Sequence, residues 1–354
     1  MAARIMVMAG GTGGHVFPAL AVANMLREKG CEVTWLGSPN SFESREIPKH
    51  GYALEVIDSF RLRGQAVIDL LSAPYRLARA VLKAIDILKS LKPDVVLGMG
   101  GFASGPGGVA AAILGIPLVI HEQNTIPGMT NRWLSKVAQR VLQAFPNTFQ
   151  DCNPITCGNP LREEILAIQR GDYVEKSKLS ILVLGGSLGA QALNEAVPQA
   201  VASLTPMQQP HLVHQVGLNN RLEVSARYAS LNVEAEVVEF IDDMAEAYLQ
   251  ADLIICRSGA LTVSEVSAVG IPAIFIPFPF AVDDHQTLNA QFLVSAGAAR
   301  MVRQTSLCAE NLTGLIQYFI NNQSVLGIMG RKALAHAKPN ATACVAEQVL
   351  EVAA

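Results

Sequence analysis

The chain has 354 residues, half of them hydrophobic and 16% charged, with a formal net charge of −3. That length is too great for one ordinary domain and suits two, each with enough apolar residues to fill a core. The near-neutral balance excludes the global basic field expected of a nucleic-acid binder.

Residues 5–9 form an apolar run that ends in Gly10-Gly11-Thr12-Gly13-Gly14-His15, with an Ala/Leu/Val helical pattern from Ala19. Strands are expected next over 32–36, 53–57, 95–98, 117–121 and 140–144. A second opening follows about half a chain later: a strand over 179–184, then Gly185-Gly186-Ser187-Leu188-Gly189-Ala190 and a helical stretch from Gln191. Further strands are expected over 211–216, 233–240, 253–256 and 273–277. Uninterrupted apolar strands between helices predict parallel sheets covered on both faces. Each glycine-rich turn can present backbone N–H groups at a helix start, a place suited to an anion.

The halves match beyond these turns. Asp94-Val95-Val96-Leu97 leads through Gly100-Gly101-Phe102-Ala103-Ser104-Gly105-Pro106 to Gly115-Ile116-Pro117 and a strand. Asp252-Leu253-Ile254-Ile255 leads through Arg257-Ser258-Gly259-Ala260 to Gly270-Ile271-Pro272 and a strand. Gly-Ile-Pro alone is a common helix-stop signal, but the ordered match favours a repeated βαβ unit. Asn, Pro and Gly cluster over 146–162 and mark the boundary, giving domains 1–162 and 163–334. Residues 333–354 read as one or two closing helices.

The six cysteines are scattered without a CxxC pair and read as reduced cytosolic thiols, with no zinc set. No signal peptide is visible. Residues 95–120 carry no charge but hold seven glycines and two prolines, so a strand–loop–helix–strand unit is expected there rather than a membrane span.

The first glycine turn lacks the marks of two common nucleotide sites. No acidic residue ends the second strand, which reads Trp35-Leu36-Gly37-Ser38, and no Gly-Lys-Ser/Thr follows. Taken alone, its glycines serve close packing as readily as ligand approach. His15, at the start of the helix, is a candidate general base, because a helix N-terminus keeps an imidazole neutral. The bland alternative is a histidine bonded to a backbone carbonyl. His121-Glu122-Gln123-Asn124 sits at a strand's C-terminal end, where open α/β sheets bind ligands. Glu265 lies in the early turns of a helix, as a cap or as a carboxylate for a ribose diol. Asp283-Asp284-His285-Gln286 with Asn289 reads as helix entry or as a reader of sugar hydroxyls. No Asp-x-Asp occurs, so no metal-dependent diphosphate clamp is expected. Residues 60–92 interleave Arg61, Arg63, Arg76, Arg79, Lys83, Lys89 and Lys92 with Ile68, Leu71, Tyr75, Leu82 and Ile85. That is an ordinary amphipathic helix, or a patch for an anionic membrane or lipid diphosphate.

Together these stretches resemble the MurG family, the N-acetylglucosaminyltransferases that complete lipid II in peptidoglycan synthesis. The resemblance is carried by residues 10–21, 98–106 and His121-Glu122-Gln123-Asn124. It continues through Gly158-Asn159-Pro160-Leu161-Arg162, Phe240-Ile241-Asp242-Asp243-Met244, residues 258–265 and Asp284-His285-Gln286 with Asn289-Ala290. It implies a GT-B fold, two Rossmann-like parallel-sheet domains facing each other across a cleft, with a final helix at about 335–354 returning to the N-terminal domain. It implies an inverting transfer of N-acetylglucosamine from UDP-N-acetylglucosamine to the 4-hydroxyl of undecaprenyl-diphospho-N-acetylmuramoyl-pentapeptide, lipid I. Another GT-B enzyme, such as a UDP-N-acetylglucosamine 2-epimerase or a glycolipid glycosyltransferase, is the alternative.

By the same resemblance, Ile241 contacts uracil through its backbone and Glu265 the ribose diol. Ser187 with Ala260, Leu261, Thr262, Val263 and Ser264 takes the diphosphate, and Gln286 the sugar. Thr12, Gly13, Gly14, Asn124 and Arg162 complete the donor site. His15 is the first candidate for the base and Glu122 the second. No cofactor is required. The resemblance also implies a peripheral protein at the cytoplasmic face of the bacterial inner membrane, beside other cell-wall synthesis proteins in cell growth and division. Where the family carries glutamine after Ser187, this chain has Leu188, which puts one polar phosphate contact in doubt.

Overall fold

The computed structural model describes residues 2–58, 67–186 and 189–354. Ser187 and Leu188 therefore lie outside the described residues, as do Arg61 and Arg63. The chain forms two compact units, Met1–Arg162 with Lys338–Ala354, and Glu163–Ala337.

The first unit is built on a parallel sheet of seven strands: β1 (Arg4–Met8), β2 (Glu32–Gly37), β3 (Ala53–Val56), β4 (Val95–Gly98), β5 (Leu118–Glu122), β6 (Arg140–Gln143) and β7 (Ile155–Thr156). Their order is β3-β2-β1-β4-β5-β6-β7. Alternation along β1 sends Ile5 and Val7 to one core and Met6 and Met8 to the other. The first core is closed by the helix Gly13–Glu28 and the final helix Ala341–Ala353, which brings Val345, Ala346 and Val349 into it. The second is covered by the helices Val67–Leu91 and Ser104–Leu114. Each large apolar side chain buried there contributes about 1.5–3 kcal/mol.

The second unit repeats the plan with β8 (Ser180–Leu184), β9 (His211–Gln215), β10 (Glu236–Val238), β11 (Leu253–Cys256), β12 (Ala273–Phe275) and β13 (Ala299–Met301), in the order β10-β9-β8-β11-β12-β13. The repeat extends to single hydrogen bonds. Asp94 Oδ2 accepts from the backbone N–H of Arg4 at 2.7 Å, and Asp252 Oδ2 from that of Ser180 at 2.8 Å. Each aspartate pins the first strand of its unit to the strand that follows the crossover.

Two short strands escaped sequence reading. β7 lies among the boundary prolines and glycines, and β13 is three residues long with Arg300 at its centre. Both are edge strands, where half the backbone pairing and much of the apolar burial are missing. The expected strand over 233–240 shrinks to Glu236–Val238. The reading of six reduced thiols is corrected: Cys157 and Cys344 form a disulfide with Cα atoms 5.6 Å apart, while Cys31, Cys152, Cys256 and Cys308 are free. A separation of 187 residues hides that pair from any local spacing rule, and only the return of the final helix makes it.

Candidate active site

In an open parallel sheet, ligands bind beyond the C-terminal strand ends where the strand order reverses. In the first unit that point lies between β1 and β4. The loops leaving those strands touch backbone to backbone: a Cβ on Gly101 would stand 2.3 Å from Gly10 O, at a φ of +86°. Only glycine permits both that approach and that dihedral. Beneath the turn, the buried Glu43 accepts from the N–H of Gly11 at 2.9 Å and of Ser38 at 3.0 Å.

Thr12 is the extended N-cap of the helix Gly13–Glu28 and its side chain makes no capping bond. Its carbonyl accepts from the N–H groups of His15 and Val16, at 3.1 and 3.2 Å. The N–H groups of Gly13 and Gly14 thus open the helix with no backbone partner among the described residues, a cradle for an oxygen-rich ligand. His15 is half-buried, with Nδ1 3.1 Å from Gln123 Oε1. Arg162, the last residue of this unit before the crossing, lies 5.8 Å over the Phe17 ring, one helical position from the same turn.

The cluster after β5 divides its labour. His121 is fully buried, donates from Nε2 to Gly158 O at 2.9 Å, and burial pushes its pKa down to about 4. Glu122 is 2% exposed and both its oxygens are doubly engaged. Oε1 accepts from the Asn124 backbone N–H at 3.0 Å and from Asn124 Nδ2 at 3.1 Å. Oε2 accepts from the Gly128 N–H at 3.0 Å and from Asn131 Nδ2 at 2.9 Å. Four donors on one carboxylate occupy its lone-pair directions, so its geometry is that of a loop brace.

In the second unit the reversal lies between β8 and β11. After β11, Gly259 caps the helix Ala260–Val269 without any side-chain bond, and Val263 N bonds Gly259 O at 3.0 Å, so the N–H groups of Leu261 and Thr262 have no backbone acceptor among the described residues. The side chain of Val263 is buried and Ser264 Oγ donates back to Ala260 O at 3.0 Å, so these two shape the turn. Glu265 is past the first turn, which holds no acid, so it is not a helix cap. Its Oε2 instead accepts from the Tyr248 hydroxyl at 2.8 Å. Ile241 is half-buried just ahead of the helix Met244–Gln250, whose N-cap Asp243 accepts from Glu246 N at 2.9 Å. Ser258 ties the neighbouring helix His285–Ser295 to this turn, donating to Gln286 O at 2.8 Å and accepting from Asn289 Nδ2 at 3.2 Å. The Gln286 amide accepts from Phe278 N at 2.9 Å, which leaves its Nε2 donors without a partner among the described residues. No group of three or more His, Cys, Asp or Glu among the described residues is placed to hold a metal.

Residues 5–143 match the glycosyltransferase family 28 N-terminal domain, and residues 180–345 match its C-terminal domain. A protein of Shewanella denitrificans named UDP-N-acetylglucosamine–N-acetylmuramyl-(pentapeptide) pyrophosphoryl-undecaprenol N-acetylglucosamine transferase is 50% identical over all of this chain and 98% of its own length. The chain belongs to the MurG family of glycosyltransferases. A MurG-family relative of the same name from Shewanella frigidimarina is 50% identical over 97% of this chain and 95% of its own. The crystal structure of Acinetobacter baumannii MurG superposes with a TM-score of 0.85 at 42% identity, over 99% of each chain. A putative UDP-N-acetylglucosamine 2-epimerase of Listeria monocytogenes, at a TM-score of 0.67 and 16% identity over 98% and 95% of the two chains, shares the fold alone.

Within the MurG family frame, four polar residues that sequence reading did not assign stand behind the expected ones: Glu43, Gln123, Asn131 and Tyr248. Each acts through a partner more than eight residues away in sequence, so no local motif could reveal these pairings, even for Gln123, which stands inside the strand-end tetrapeptide.

Proposed function

We propose that the chain transfers N-acetylglucosamine from UDP-N-acetylglucosamine to the 4-hydroxyl of the N-acetylmuramoyl group of lipid I, giving the β-1,4 link of lipid II with inversion. The carrying observation is the match, over the whole chain, to relatives named for that transfer. The geometry supports a division of roles. The second unit takes the donor, with Ile241 at the uracil, Glu265 at the ribose diol and Gln286 Nε2 at the sugar. The N–H groups that open the helix Ala260–Val269 face the diphosphate and offset the charge that grows on the departing UDP. In the first unit, Thr12, Gly13, Gly14, Asn124 and Arg162 complete the donor contacts. His15 takes the proton of the acceptor hydroxyl as that oxygen bonds to the anomeric carbon and the bond to UDP breaks.

Transfer of labelled N-acetylglucosamine to a lipid-linked muramoyl acceptor tests this reading, with a chelator arm for metal independence. Transfer that persists in chelator supports displacement without a metal. Release of the 2-epimer from UDP-N-acetylglucosamine alone, with no transfer, would overturn the reading in favour of an epimerase. Tyr248→Phe, which removes the brace on Glu265 but keeps the ring, is expected to raise the donor KM about 3- to 10-fold with kcat little changed, because the brace acts on the ligand only through the carboxylate it holds and about 0.7–1.4 kcal/mol of its worth reaches the donor.

The acceptor is lipid-linked, and the first unit carries a surface suited to a membrane. Among the described residues no helix is long and apolar enough to cross a bilayer. The helices Val67–Leu91, Ser104–Leu114 and Met129–Leu134 pack side by side and expose Tyr75, Leu82, Ile113, Met129 and Trp133, each more than 60% accessible. Lys136 Nζ lies 4.8 Å over the Trp133 ring, and Arg79 meets the exposed Asp58 at 3.4 Å. Exposed apolar side chains beside these cations suit a peripheral protein on anionic lipid, which supports placing it at the cytoplasmic leaflet with its acceptor and other cell-wall enzymes. Each basic residue contributes about 1 kcal/mol there, so the Arg76→Glu, Arg79→Glu double variant is expected to lose about ten-fold or more in partition onto phosphatidylglycerol vesicles. Unchanged co-sedimentation would reject the surface.

A further inference from the structure

Gln123 is 1% exposed, and both ends of its amide are engaged. Nε2 donates to Met99 O at 2.8 Å, and Oε1 faces His15 Nδ1 at 3.1 Å. Met99 O is a backbone carbonyl and can only accept. Turning the amide over would set two acceptor oxygens against each other, so the orientation is dictated by the partner. An amide oxygen also only accepts, and the nitrogen facing it must carry a hydrogen.

We infer that Gln123 is a positioning residue that holds His15 as its Nδ1–H tautomer and so makes Nε2 the proton-accepting nitrogen. This rests on the proposed role of His15 as base. His15 Nε2 has no hydrogen-bond partner among the described residues and is not a buried orphan. The same loop that orients the amide also holds the ring. A Cβ on Gly100, the neighbour of Met99, would stand 2.6 Å from His15 Nδ1, so bare backbone lies against the imidazole and limits its turning.

The arrangement conserves its bond through the reaction. When Nε2 receives the hydroxyl proton, His15 becomes an imidazolium with two donors, and Nδ1–H still donates to Gln123 Oε1. The proton comes from the acceptor oxygen, whose electron pair forms the new bond to the anomeric carbon, and the bonding pair to the donor oxygen departs with UDP. A carboxylate in place of the amide would fix the same tautomer but add a negative charge that favours imidazolium. The ionisable groups around this pair are His121, whose ring senses His15, and the carboxylates of Glu122 and Glu43, each held by backbone or amide donors.

The test is nitrogen-15 correlation spectroscopy of histidine-labelled full-length protein, with the His15 signal assigned by its loss in His15→Gln. The expected pattern for neutral His15 is a protonated Nδ1 and a bare Nε2; a protonated Nε2 would overturn the inference. Gln123→Leu is expected to release the tautomer toward Nε2–H and to lower kcat about 10- to 100-fold with the donor KM unchanged. An unchanged tautomer in a Gln123→Leu protein that melts cooperatively would also overturn it. Gln123→Glu is expected to keep the tautomer and to move the acid limb of the kcat profile up by about one pH unit; a stationary limb counts against the inference. The spectra read the tautomer whether or not His15 is the base, so failure of the catalytic reading remains distinguishable.

Discussion

His15→Ala is expected to lower kcat by about 10²- to 10⁴-fold while leaving the donor KM within a few-fold of the parent value. The side chain is half-buried and its Nε2 has no hydrogen-bond partner among the described residues, so its removal leaves a hollow and breaks one hydrogen bond, to Gln123 Oε1. The donor contacts proposed for the second unit are untouched. A loss confined to kcat is the mark of an interaction made in the transition state alone. Glu122 provides the contrast. Glu122→Gln keeps the shape but replaces one acceptor oxygen with an NH₂ group that must face donors it cannot satisfy. Lower thermal stability and a disturbed 124–131 loop are expected, together with reduced turnover. His15→Ala, which leaves only the Gln123 carbonyl oxygen without its donor, should melt closer to the parent than Glu122→Gln. Equal turnover in His15→Ala and parent would remove His15 from the chemistry.

The fold was legible because its signals are local. Apolar runs such as Val95-Val96-Leu97 are buried on both faces of a parallel sheet and need no alternation to be recognised. The paired Asp94 and Asp252, noticed first as a matching tetrapeptide, make the same bond in both units. The glycine turns were visible as turns from their glycines alone. What stayed hidden depends on contacts between distant segments. Gln123 meets His15 across 108 residues, and Cys157 meets Cys344 across 187. Glu122 shows the limit from the other side. A carboxylate at a strand end is equally plausible as base or brace until its donors are counted, and two of them, on Gly128 and Asn131, come from a loop and helix with no signature of their own.

The donor side carries the second large effect. Glu265→Ala is expected to raise the donor KM about 30- to 100-fold and to weaken UDP binding by a similar factor, with a smaller loss in kcat. Water takes over part of the lost pairing at the ribose, so the net loss is that of one hydrogen bond to a charged group, about 1.5–3 kcal/mol, and 30- to 100-fold corresponds to about 2–2.7 kcal/mol. The carboxylate is not free to wander, because the buried Tyr248 hydroxyl holds Oε2. Tyr248 in turn stands in the helix Met244–Gln250, where Arg170 Nη1 bonds the Tyr248 carbonyl. Deleting the carboxylate therefore costs twice, once at the ligand and once by leaving the Tyr248 hydroxyl buried without its acceptor. Those two costs can be separated. Glu265→Gln keeps an acceptor for Tyr248 and so should melt close to the parent, while binding of UDP, read by titration calorimetry, still falls. If Glu265→Ala binds UDP as tightly as the parent, the ribose is not read here, and the first turn of the helix Ala260–Val269 is left to anchor the donor.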